Sequence, residues 1–92
     1  MIKENIYFDG KIKSLGFDIR GTVLTAGVIE PGEYSLTTEK EEHITVTAGD
    51  IEVRLSDGTR KSCKTGETVV VPAKMAFGLK SKDGASYTCI YK

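Results

Sequence analysis

Apolar and polar residues alternate along this chain with a period of two, the pattern of half-buried β-strands. No helical period persists beyond about six residues. The span Thr22 to Ile29 reads as a strand that stops at the turn pair Pro31-Gly32. Beyond it, Tyr34, Leu36 and Thr38 share one face, and Glu33, Ser35 and Thr37 the other. Glu39-Lys40-Glu41 is a polar connection. Glu42, Ile44, Val46 and Ala48 then lie opposite His43, Thr45 and Thr47, and Ala48-Gly49-Asp50 is predicted to turn the chain. Ile51, Val53 and Leu55 alternate with Glu52 and Arg54 as far as Asp57-Gly58. That pair is a hairpin turn, because glycine tolerates the positive φ it needs. Residues 68–72 form a nearly continuous apolar strand, expected to be buried on both faces or at a contact between two copies. Residues 77–80 follow, then the turn Asp83-Gly84. Residues 86–91 close the chain with Tyr87, Cys89 and Tyr91 on one face.

Short strands separated by glycine turns predict a β-sandwich or barrel, and a closed barrel or jelly roll leaves the fewest exposed sheet edges. At 92 residues the chain is expected to be one domain, residues 1–92. A domain of that size buries roughly 60–65% of its unfolded surface, so its core is thin and a homodimer is expected. Thirteen basic and thirteen acidic residues cancel, which speaks against a nucleic-acid partner. No apolar run approaches the roughly 20 residues a spanning helix needs, so no membrane partner is expected. Met1-Ile2-Lys3-Glu4-Asn5 lacks the apolar stretch of a secretory signal, and the expected compartment is the cytoplasm. Cys63 and Cys89 are far apart and read as reduced: Cys89 as a buried structural thiol, Cys63 as a loop or strand-edge residue.

Two segments carry more than fold-level information. One runs Pro31-Gly32-Glu33-Tyr34-Ser35-Leu36-Thr37-Thr38, then Glu42 and Gly49; the other is Gly66-Glu67-Thr68-Val69-Val70-Val71-Pro72. In this order they resemble degenerate forms of the two cupin motifs. Asn5, Tyr7-Phe8, Gly10-Lys11, Lys13-Ser14 and Gly16-Phe17 ahead of them, with Phe77, Tyr87, Cys89 and Tyr91 after, extend the likeness over essentially the whole chain. The pattern is similar to the small single-cupin pyrimidine/purine nucleoside phosphorylases. Departures fall at residues 18–24, at His43 where an apolar residue is expected, and at Ile90 where an arginine can occur. The resemblance implies an all-β, single-domain cupin-type antiparallel β-barrel. It also implies a cytoplasmic enzyme that cleaves purine and pyrimidine nucleosides with phosphate to free base and ribose 1-phosphate.

Metal cupins use two or three histidines and a glutamate, whereas His43 is the only histidine here. The corresponding ligand positions fall on Leu36 and Thr38 and near Phe77. Carboxylates could hold a hard cation, but they do not cluster in sequence. A site without metal is therefore expected, with inorganic phosphate as co-substrate and no other cofactor. His43, opposite Ile44 and Val46, reads as a solvent-facing or interface residue. Phosphorolysis passes through an oxocarbenium-like state, as glycoside cleavage does, and its rate rests on positioning and electrostatics. The residues expected to line a cavity are Tyr34, Leu36, Thr38, Phe77, Tyr87 and Tyr91, for nucleoside binding, and Glu42, as the catalytic carboxylate. Core packing competes with base stacking for the aromatic residues, and a solvent-reaching strand start competes for Glu42. Lys11 and Lys13 are the phosphate candidates, with Arg20 and Lys74 as further cations; each alone is more simply a surface charge. Against the enzyme stands a cupin that binds or senses a small polar ligand without chemistry. A metal dioxygenase or isomerase is disfavoured by the histidine count.

Overall fold

The computed structural model describes residues 1–92, and nine β-strands account for most of them. They are β1 (Lys3–Tyr7), β2 (Ile12–Ile19), β3 (Thr22–Ile29), β4 (Gly32–Thr37), β5 (Glu42–Leu55), β6 (Arg60–Lys64), β7 (Thr68–Val71), β8 (Ala76–Ser81) and β9 (Ala85–Tyr91). The one departure is a tight turn at Phe8–Gly10, where Phe8 and Asp9 take positive φ of 53° and 56°. Phe8 is held there by its ring, 4.9 Å between centroids from that of Tyr34.

Every pairing is antiparallel, and the strands run β1-β2-β3-β9-β5-β8-β4, with β6 and β7 also paired to β5. The first half of β5 pairs with β7 and β9, its second half with β6 and β8. β5 therefore belongs to two walls, and the sheet curls into a half-open barrel of the cupin type. One apolar cluster fills its closed part, with Val46, Val53 and Val71 fully buried. The outer strands β1 and β4 end the strand order and do not pair with each other.

Ala48-Gly49-Asp50, expected to be a turn, is instead the bend by which β5 passes from one wall to the other. The register slips between Val46 and Ala48, and Gly49 takes φ of 82°. A Cβ on Gly49 would stand 2.5 Å from the Gly84 carbonyl oxygen, so the bend needs glycine on both counts. Residues 68–72 are not buried on both faces: Val69 and Val71 point into the core and Val70 points out. Cys63, expected at a loop or edge, is buried in β6 opposite Ile51. Both cysteines are free thiols.

Candidate functional site

The register sets the inward side chains of the β1-β2-β3-β9-β5 wall in rows. Tyr7, Ile12, Ile29 and Ala85 form the innermost. Asn5, Ser14, Gly27, Tyr87 and Val46 form the next, followed by Lys3, Gly16, Thr25, Cys89 and Ile44. Asp18, Val23, Tyr91 and Glu42 form the outermost. Across from them, β4 and β8 present Leu36, Phe77 and Leu79. Between the two walls lies an open cavity of about 960 Å³.

The walls differ in chemistry: the first sets hydroxyl, amide and carboxyl groups among isoleucines, whereas the inward side chains of β4 and β8 are aliphatic and aromatic, with Ser35 and Thr37 at the rim. Polar groups of the first wall hold one another. Asn5 Nδ2 donates to Ser14 Oγ at 3.3 Å, the Thr25 and Tyr91 hydroxyls stand 3.2 Å apart, and Cys89 Sγ donates to Glu42 Oε1 at 3.6 Å. No buried side-chain nitrogen or oxygen lacks a partner. Burial raises the Glu42 carboxyl above its ordinary 4.5, partly offset by the hydrogen bond from Cys89. Burial, then the charge of Glu42, pushes the Cys89 thiol to about 12, so it stays a neutral donor at physiological pH. Burial raises the Tyr87 and Tyr91 phenols in the same way, and both keep their protons. Nowhere do three His, Cys, Asp or Glu side chains converge in a way that could hold a metal ion.

Of the residues expected in the cavity, Glu42, Leu36, Phe77, Tyr87 and Tyr91 line it together. Tyr34 and Thr38 do not. Tyr34 is buried in the core, its hydroxyl donating to the Glu30 carbonyl at 2.7 Å. Thr38 is buried beneath the β7–β8 connection, where Oγ1 donates to the Pro72 carbonyl at 2.6 Å and accepts from Met75 N at 3.0 Å. Both share the face of Leu36 but stand beyond the cavity's ends. Lys11 and Lys13 are also misplaced as phosphate ligands. Lys11 is exposed beside the Phe8–Gly10 turn, and Lys13 points outward from β2 into a shallow groove with Glu4 and Val28. Neither Arg20 nor Lys74 lines the cavity. His43 faces outward and contacts Glu41 at 2.8 Å. Asn5, Ser14 and Thr25 are cavity residues that sequence reasoning missed. The signal available for them was the parity of β1, β2 and β3, in which these polar side chains point in.

The comparisons agree with this architecture over its full extent. The pyrimidine/purine nucleoside phosphorylase family matches residues 2–91. The chain belongs to that family. It is 40% identical over 91 residues to a Vibrio parahaemolyticus protein named pyrimidine/purine nucleoside phosphorylase, covering 98% of this chain and 97% of that one. A crystal structure of a V. parahaemolyticus protein described as of unknown function superposes with a TM-score of 0.94 at 38% identity, covering 100% and 99% of the two chains. A putative ethanolamine utilization protein Q from Salmonella typhimurium superposes at 0.79 with 11% identity, covering 99% and 93%, a likeness of fold alone. No helix is long and apolar enough to cross a membrane.

Proposed function

We propose that this cavity binds a nucleoside and inorganic phosphate and performs phosphorolysis, a pentosyl transfer giving free base and α-D-ribose 1-phosphate. The observation that carries the reading is the division of the cavity into a polar and an apolar wall. A nucleoside is divided in the same way. Its ribose meets the hydroxyls of Thr25, Tyr87 and Tyr91 with the carboxylate of Glu42, while its base lies on Phe77 and Leu36. An aromatic and aliphatic base wall makes no hydrogen-bond demand, which suits purines and pyrimidines alike. The name carried by the relatives points the same way.

In the reaction a phosphate oxygen forms a bond to the anomeric carbon as the bond to the base nitrogen breaks. The electron pair leaves with the base, which takes up the proton that phosphate gives up. Positive charge grows on the sugar between these events, and Glu42 is the carboxylate placed to offset it. The dry surroundings that resist ionisation of Glu42 also strengthen its effect once it is charged. No cofactor beyond phosphate is assigned: the cavity's polar groups are hydroxyl, amide and carboxyl, no three metal-ligating side chains converge, and the single histidine faces outward.

The test incubates purified protein with uridine, adenosine or inosine, with and without millimolar phosphate, and again after chelation. The expected result is base and ribose 1-phosphate in a strictly phosphate-dependent reaction that survives chelation. Phe77→Ala should weaken nucleoside binding by about 1–3 kcal/mol, the scale of base–aromatic stacking. Release of free ribose would mean hydrolysis instead. Nucleosides left intact over hours would leave a ligand-binding cupin as the function.

A further inference from the structure

We infer that the attacking phosphate is held by Lys3 and Lys40, a pair facing each other across the open seam of the barrel. The inference rests on the phosphorolysis reading. Phosphate is a dianion near neutral pH and cannot leave water for a half-apolar cavity without cations to meet it. Three carboxylates, Asp18, Glu39 and Glu42, stand at the same outer end of the cavity, so an anion held there needs both lysines against them. Lys3 and Lys40 are the only basic side chains among the lining residues.

The topology brings these two lysines to the same end of the cavity. β1 and β4 are the two ends of the strand order, and the gap between them is the mouth of the cavity. One end of that gap is closed by the contact of Phe8, just after β1, with Tyr34 in β4. From this contact β1 runs backward and β4 forward along the seam. Lys3 lies five residues before Phe8, and Lys40 lies six residues after Tyr34. β4 ends at Thr37, so Lys40 stands in the bend that leads to β5, beside Glu42 of the outermost row, and Lys3 stands one row in from that end. Both side chains are exposed, and neither is used in an ion pair. Lys3 stands in the row of Thr25 and Cys89, and Lys40 is two residues from Glu42. A phosphate gripped there is at the lip beside the sugar wall, where its oxygen must be to reach the anomeric carbon.

The experiment compares Lys3→Ala, Lys40→Ala and the double variant with wild type, and uses Lys13→Ala, on the outer surface, as control. Two quantities are read: KM for phosphate and for nucleoside in the assay, and the affinity for inorganic phosphate alone by calorimetric titration. Loss of one charge-assisted contact should raise the phosphate KM and Kd roughly tenfold or more, with the nucleoside KM within about twofold. The double variant should lose more than either single one, and Lys13→Ala should lose nothing. An unchanged phosphate KM and Kd in the double variant would overturn the assignment, as would failure of the wild type to bind phosphate at all. If wild type binds phosphate through these lysines yet leaves nucleosides intact, the anion site stands and the phosphorolysis reading fails.

Discussion

A carboxyl half-buried in a cavity resists ionisation, and Glu42 is held in that way between Tyr91 on β9 and Val71 on β7. Its proton is therefore bound more tightly in the folded protein than in the unfolded chain, where the value returns to about 4.5. The folded state binds the extra proton between that value and its own raised one. Stability attributable to Glu42 accordingly falls as pH rises through this window and is level above it. Glu42→Gln keeps an acceptor for the Cys89 thiol and removes the ionisation. The stability gained by the variant over wild type should grow with pH above about 4.5 and then become constant. Urea denaturation of both proteins at several pH values measures it, and a difference that does not change with pH would show that Glu42 does not resist ionisation. Turnover should fall in the same variant, because a neutral amide cannot offset charge on the sugar. Thr38 and Tyr34 belong to a different category of inward residue: their hydroxyls are already committed to backbone carbonyls, so they tie loops rather than meet a ligand.

At the level of elements, β5 is the strand on which the barrel depends, and its bend at Gly49 is the point of least tolerance. An alanine there must hold a positive φ, which costs about 1–2 kcal/mol, and must also displace the Gly84 backbone oxygen. Gly58 takes φ of 92° with nothing near its missing Cβ, so Gly58→Ala isolates the first of these costs. Gly49→Ala should therefore lose at least about 2 kcal/mol and clearly more than Gly58→Ala, read as denaturation midpoints. Equal losses would mean that the close approach to Gly84 is easily relieved. The same segment shows where the sequence was legible. Strands β3, β4, β8 and β9 could be read because each alternates with one face toward the core or cavity. The glycine of Ala48-Gly49-Asp50 marks a turn and a bulge equally well, so the long β5 was divided in two. β1 and β2 escaped because their pattern is inverted: Lys3, Asn5 and Ser14 face the cavity, while Leu15 faces out and the exposed Ile6 and Phe17 sit at the cavity's rim. Face parity together with family likeness found Glu42, Leu36, Phe77, Tyr87 and Tyr91. Parity gives the side of a strand and not the depth along it, hence the misplacement of Tyr34 and Thr38. Lys13 was offered on charge alone; once Ile12 and Ser14 are inward, it must point away.

The inversion in β1 and β2 has its counterpart in the shape of the whole molecule, because it puts apolar side chains on the outside of the β1-β2-β3-β9-β5-β7 wall. One outer row reads Phe17, Leu24, Ile90, His43 and Val70, and the next Leu15, Ala26, Thr88, Thr45 and Thr68. Leu15 is 53% exposed, Phe17 43% and Val28 62%, on a face whose nearby charges are Glu4 and Lys13 at one edge and Glu41 beside His43. Six strands at about 4.8 Å spacing make this face roughly 24 Å across. With side-chain relief, a face that wide is in the size class of stable interfaces, about 800 Å² per partner. Clustered exposure of this kind marks a surface that is covered in use. We propose a second copy of the chain as the occupant, since opposite charges near one edge and a centre of Ile90 with the small polar Thr45 and Thr88 can match themselves about a two-fold axis. Such a pairing would leave both cavities open on the far side of the wall, since of these two rows only Phe17 also borders the cavity. The protein is therefore expected to run as a dimer in light scattering at micromolar concentration. Ile90→Lys, at the centre of the face and away from the cavity, should yield a monomer with unchanged far-ultraviolet circular dichroism. A wild-type monomer would remove the assignment, and a dimeric Ile90→Lys would move the interface to another face.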